Sequence, residues 1–235
     1  MRAKPTTPKP APPKHGAPSW DLATAFVPRA KLKEEGRVYA VELVTLPPLV
    51  LPTGRIFACD PYTMFGAAPF ERAVRRGAYP VTLSVAKISG RVTDRRVGCA
   101  MVRFAKGPVA EWVNATKKGQ KVTRLAPGYH YGYGVDAGVG CFGDASVLPT
   151  LDLVDEVVRA NGRGEGFLYD VTARDLDDRR WGSAVLDPKT KANMLVFSSG
   201  FGDGVYPSYW GLSKSGKAVC LVTDFGVYPR PEFED

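Results

Sequence analysis

Histidine is almost missing from this 235-residue chain, which has only His15 and His130. A Ser-His-Asp triad would have only His130 to build on, because His15 falls in a proline-rich leader. Paired cysteines are missing as well: Cys59, Cys99, Cys141 and Cys220 stand 40, 42 and 79 positions apart, without a CxxC. That spacing excludes zinc-ribbon, thioredoxin-like and iron–sulfur patterns. Each cysteine sits among small or apolar neighbours, as in Ile56-Phe57-Ala58-Cys59 and Val219-Cys220-Leu221, and reads as an inert buried thiol. The longest apolar run, Leu43 to Leu51, is cut by Pro47 and Pro48, too short for a membrane span. No apolar h-region of a secretory signal is found at the N-terminus, so a soluble cytoplasmic protein is expected. A Walker-type GK[ST] loop is absent too.

Hydrophobic residues at 44% and charged residues at 24% place the chain among globular proteins. The formal charge of +8 invites a nucleic-acid reading, but Arg2, Lys4, Lys9 and Lys14 supply half of it. They lie in residues 1–18 with six prolines and no acid, which predicts a disordered basic arm ahead of one globular domain over residues 19–235. The remaining excess is scattered over Arg72, Arg75, Arg76, Arg91, Arg95, Arg96, Lys117, Lys118, Lys121 and Arg124 without a nucleic-acid motif. Nucleic acid is therefore disfavoured as a partner.

From Arg37 onward, runs rich in Val, Tyr, Leu and Thr alternate with Gly and Pro punctuation. They predict strands at Arg37–Leu46, Gly54–Asp60, Tyr79–Ile88, Arg96–Phe104, Gly132–Asp136, Met194–Ser198, Tyr206–Leu212 and Ala218–Phe225. A helix is expected from Thr150 to a stop at Asn161-Gly162, with Leu151, Val154, Val157 and Val158 on one face. A shorter helix is expected at Ala68–Arg76, and Arg174–Arg180 reads as a solvated loop or short helix. Helices and strands do not alternate regularly, so the expected fold is α+β and β-rich, a mostly antiparallel sheet or sandwich with a few short helices.

Glycine is dense in two places. The first runs PGYHYGYGVDAGVGCFGD from Pro127 to Asp144, and the second SSGFGDGVYPSYWG from Ser198 to Gly211. Gly138 to Gly143 spells GxGxxG, but no βαβ unit frames it, and no dinucleotide or other cofactor is expected. Gly132-x-Gly134-x-Asp136 resembles one turn of a calcium nonapeptide repeat, which binds only in stacked copies. Asp136, Asp203 and Asp224 each stand at a glycine turn or strand end, the usual place for an Asp that accepts backbone N–H bonds.

These residues also carry a resemblance. Asp60-Pro61, Gly77 to Val81, Leu83 to Ala86, Tyr133 to Gly138 with Cys141-Phe142 and Asp144, Gly202 to Gly211, and Leu221 to Phe225 resemble the mainly bacterial domain-of-unknown-function family 4241 over about residues 35–228. The resemblance brings no assigned reaction. It implies that the segments around Asp136, Asp144, Asp203 and Asp224 belong to the family's pattern.

Strand parity puts Asp224 on the face of Ala218, Cys220 and Val222, and Lys87 on the face of Val81, Leu83 and Val85, so Lys87 is a possible partner for an inward acid. Two functions compete. One is a non-catalytic binding or interaction domain, immunity-type or regulatory, with a protein or small-molecule partner read by the glycine loops and by Tyr206, Tyr209 and Trp210. The other is a carboxylate- or metal-dependent hydrolase that gathers Asp136, Asp144, Asp203 and Asp224 into one pocket. Two carboxylates converging on an open cleft would favour the hydrolase; carboxylates apart and capped by backbone amides would not.

Overall fold

A computed structural model describes residues 15–64, 66–90, 93–151, 153 and 167–230. The chain is β-rich, and its twelve described strands pair antiparallel in two sheets. In the first, β1 (Lys31–Glu34), β2 (Arg37–Leu51), β4 (Gly77–Ile88), β5 (Asp94–Arg103), β12 (Ala218–Asp224), β11 (Gly204–Leu212) and β6 (Glu111–Asn114) lie in that order, with β7 (Gly132–Val135) also on β11. The second runs β3 (Ile56–Cys59), β8 (Val139–Asp144), β10 (Asn193–Ser198) and β9 (Trp181–Val185).

Alternation along the second sheet makes two cores. Ile56, Ala58, Phe142, Leu195 and Phe197 face the first sheet and join its Leu83, Val102, Leu221 and Phe225. Phe57, Cys59, Cys141, Met194 and Val196 point the other way, toward Leu151 and toward Leu168 on α1 (Phe167–Arg179). This is the three-layer arrangement that a sheet apolar on both faces requires, with the first sheet on one side and helix on the other.

All eight expected strands are present, within a few residues at their ends. Four more were hidden. β8 is the most informative, because Val139–Asp144 is the GxGxxG stretch and every residue of it is buried between β3 and β10. A Cβ on Gly143 would lie 2.4 Å from the Phe57 ring, and one on Gly140 would lie 2.6 Å from the Tyr133 Oη. Glycine stands here so that rings can cross the strand, and the stretch is a strand and not a phosphate loop.

The expected helix at Ala68–Arg76 is an extended segment instead. Its amides bond outward to other segments: Phe70 N–H donates to Ile56 O, Glu71 N–H to Thr116 O and Val74 N–H to Gly54 O, each at 2.8 Å. Helix is observed at residues 148–151 and 153, and the rest of the helix expected to Gly162 lies outside the described residues. The Arg174–Arg180 stretch forms the end of α1. Residues 15–18, assigned to the arm by proline content, meet the domain: the His15 ring pairs with Leu125 O at 2.7 Å, and Gly16 sits against Val122.

One edge of β11 is shared by two short strands. β7 pairs with Gly204 to Pro207 and β6 with Tyr209 to Leu212. The Asn114 side chain bridges the junction, accepting from Tyr131 N–H at 2.7 Å and donating to Tyr131 O and Ser208 O at 2.9 and 3.0 Å.

Candidate recognition site at the paired glycine turns

Because Gly204 pairs with Val135 and Val205 with Gly134, the turn that leaves β7 and the turn that enters β11 come side by side. Gly138, Gly200 and Gly202 take φ of 66°, 66° and 115°, values that side chains other than glycine rarely adopt. Hydrogen bonds then stitch the turns together. Ser199 N–H donates to Gly138 O at 3.0 Å, Gly138 N–H to the Asp203 carboxylate at 3.1 Å, and the Ser199 and Tyr206 hydroxyls to Gly202 O at 2.7 and 2.8 Å.

Asp60 supports this pair from below. It is 1% exposed, and its carboxylate accepts N–H bonds from Tyr62 at 2.9 Å, Thr63 at 3.3 Å, Asp136 at 2.9 Å and Ala137 at 2.8 Å. The turn that contains Asp136 is therefore held by a different acid. The Asp136 carboxylate itself is exposed and makes no hydrogen bond or ion pair with any described residue.

Around these fixed turns stand apolar side chains facing water. Phe201 is 61% exposed and Val205 65%. The Arg96 guanidinium lies 5.4 Å from the centre of the Phe201 ring, anchored by Asp94 at 2.8 Å and Gly200 O at 3.4 Å. Arg96 holds the Asp94 carboxyl below the usual carboxylate range. Tyr206 is half-buried against Phe225, and its phenol is pushed up by burial and by the Asp203 charge.

The other sequence candidates lie elsewhere. Asp144 is fully buried at the end of β8, where it accepts from Thr53 N–H and Oγ1 and caps the following 3-10 turn through Ser146 N–H. Asp224 is 3% exposed and accepts from Trp20 Nε1 at 3.0 Å and Gly226 N–H at 2.8 Å, with Arg230 at 3.7 Å. It lines a cavity of about 50 Å³ with Tyr209, His130 and Arg230. That space holds a few waters but no substrate of ordinary size. Burial, then Arg230, push the His130 imidazole down, which favours its neutral form. Tyr209 and Trp210 are core residues at 3% and 2% exposure, and cannot form the surface expected of them. Lys87 keeps the strand parity of Leu83 and Val85, because β4 runs unbroken against β2 from Val81 to Ile88, but it is exposed near the strand's end, so it is no partner for an inward acid. Among the described residues no group of three or more His, Cys, Asp or Glu is placed to hold a metal.

Asp60, Arg96, Phe201 and Val205 were missed by sequence reasoning. Phe201 carried a legible signal, since an aromatic between Gly200 and Gly202 has no regular element to turn it inward. The sequence model of a family described as "Protein of unknown function (DUF4241)" matches residues 49–223. No curated protein and no solved structure matches the chain.

Proposed function

We propose that this chain, which belongs to that family of unknown function, is a non-catalytic binding protein, immunity-type or regulatory, whose paired glycine turns recognise a protein partner. The reading is carried by Phe201: a large aromatic is 61% exposed on a turn whose backbone is fixed by hydrogen bonds on both sides. Rigid aromatic anchors flanked by a guanidinium are what protein interfaces bury at their centres. Here Val205 extends the apolar area, while Arg96 and Asp136 supply charges of opposite sign at its margin. A hydrolase of the expected kind would need two unengaged carboxylates on one cleft. Asp144, Asp203 and Asp224 instead each accept backbone N–H bonds.

The test is quantitative cross-linking in cells that make the protein natively, comparing the unaltered chain with Phe201→Asp. The expected result is a protein partner whose recovery falls at least about tenfold with Phe201→Asp, while the thermal midpoint stays within the small range of a surface change. Equal recovery with both chains would overturn the proposal.

A further inference from the structure

Beneath the turns, on the helix-covered face of the second sheet, three sulfur atoms meet. Cys59 and Cys141 are directly opposed on β3 and β8, and their Sγ atoms are 3.6 Å apart. The Met64 Sδ lies 3.7 Å from the Cys59 Sγ. Both thiols are fully buried, whereas Met64 is half-buried beside exposed Gly66, which leaves one side of the cluster close to solvent. Met64 is aimed back at the strand end by a turn: its N–H donates to Asp60 O at 2.9 Å, its carbonyl accepts from Ala67 N–H at 3.0 Å, and its φ is 49°.

We propose that Cys59, Cys141 and Met64 form a binding site for a monovalent soft metal ion, Cu(I). Two thiolates and a thioether are a donor set that selects copper(I) over harder ions. The two separations from Cys59 suit it: ligands bound at about 2.3 Å around one metal stand about 3.8–4.0 Å from each other, within a few tenths of an ångström of the distances to Cys141 and Met64. Zinc would require a fourth ligand. No described His, Asp or Glu completes such a set, and the nearby Asp60 carboxylate is occupied by four N–H groups.

Charge supports the same choice. Binding Cu(I) converts two thiols to thiolates and releases two protons, leaving the three-sulfur site with one net negative charge. Lys117 is the cation that meets it. Its ammonium is held by Gly66 O at 2.7 Å, and it is near enough that negative charge on Cys59 and Cys141 would raise its pKa against the lowering by burial.

The experiment titrates the full-length, reduced protein, under anaerobic conditions, with the Cu(I)–bicinchoninate complex. One equivalent should transfer, and X-ray absorption should show sulfur neighbours at about 2.3 Å. Cys59→Ser and Cys141→Ser should abolish transfer, Cys220→Ser should leave it intact, and Met64→Leu and Lys117→Gln should each weaken binding by about tenfold or more. The last two are gentle enough to serve where a serine variant fails to fold. No transfer to the unaltered protein, transfer that survives in both serine variants, or Met64→Leu and Lys117→Gln proteins that bind like the unaltered chain would each overturn the site. So would a chain recovered about 2 Da lighter, with the thiols joined as a disulfide and no copper taken up after reduction.

Discussion

Asp60 accepts four backbone N–H groups, two from Tyr62 and Thr63 beside it and two from Asp136 and Ala137, 76 and 77 positions away, and no other side chain joins the Asp136 turn to the strand that ends at Cys59 among the hydrogen bonds described. Removing its carboxylate leaves those donors with only partial access to water. Asp60→Ala should therefore lower stability by about 2–4 kcal/mol, and Asp60→Asn by roughly half as much, because the amide keeps one acceptor oxygen. Urea denaturation with an unchanged m-value checks this; a loss under 0.5 kcal/mol with Asp60→Ala would show that the turn needs no such support. Asp136, Asp203 and Asp224 were legible because a glycine within two residues of each is a turn signal. Asp60 was not, because its donors come from residues that sequence order keeps far away. Asp136 shows the converse: its neighbours identify the turn correctly, yet its own carboxylate plays no part in holding it.

At the scale of elements, runs rich in Val, Tyr, Leu and Thr bounded by Gly and Pro made β2, β4, β5, β11 and β12 readable. β8 was not readable, because it is buried on both faces and carries glycine where a strand usually carries a branched side chain. Its glycines answer to the rings that cross them. Gly143→Ala should thus cost about 1–3 kcal/mol through the clash with Phe57, whereas Gly134→Ala, with no heavy atom within 4 Å of the new methyl, should be nearly neutral. Thermal unfolding of the two variants side by side distinguishes packing from a backbone requirement, and equal losses would refute the packing account. The segment 68–76 failed for a related reason. Phe70, Ala73 and Val74 have helical spacing, but the backbone donors of Phe70 and Val74 go to the β3 side of the sheet, contacts that no local pattern reveals. For β4 the parity held, since the strand runs unbroken against β2 from Val81 to Ile88, but Lys87 lies past the buried part of its face, which alternation alone does not reveal.

For the whole molecule, the number of buried acids that must stay protonated sets the response to base. Burial pushes the thiol of Cys99 and the phenols of Tyr133, Tyr209 and Tyr228 upward, and takes Cys220 from 9.0 to about 11. A folded pKa above the unfolded one means that the folded chain holds more protons in that window. Its stability is complete below pH 9.0 and falls as pH rises toward 11, with Cys220 alone contributing about 2–3 kcal/mol of the loss. Urea midpoints measured from pH 8 to pH 11 should drop steadily; a flat profile would show that these groups ionise freely in the folded state.

The shared edge of β11 has a different kind of consequence. Since β6 and β7 each register with β11 independently and Asn114 closes the gap between them, the intervening residues 118–129 are not what determines the pairing. Gly119 lies at an exposed point of that stretch with open space around it. The tip at Gly119 is therefore a place where a fluorescent reporter can be grafted with the strand order of the fold expected to stay the same.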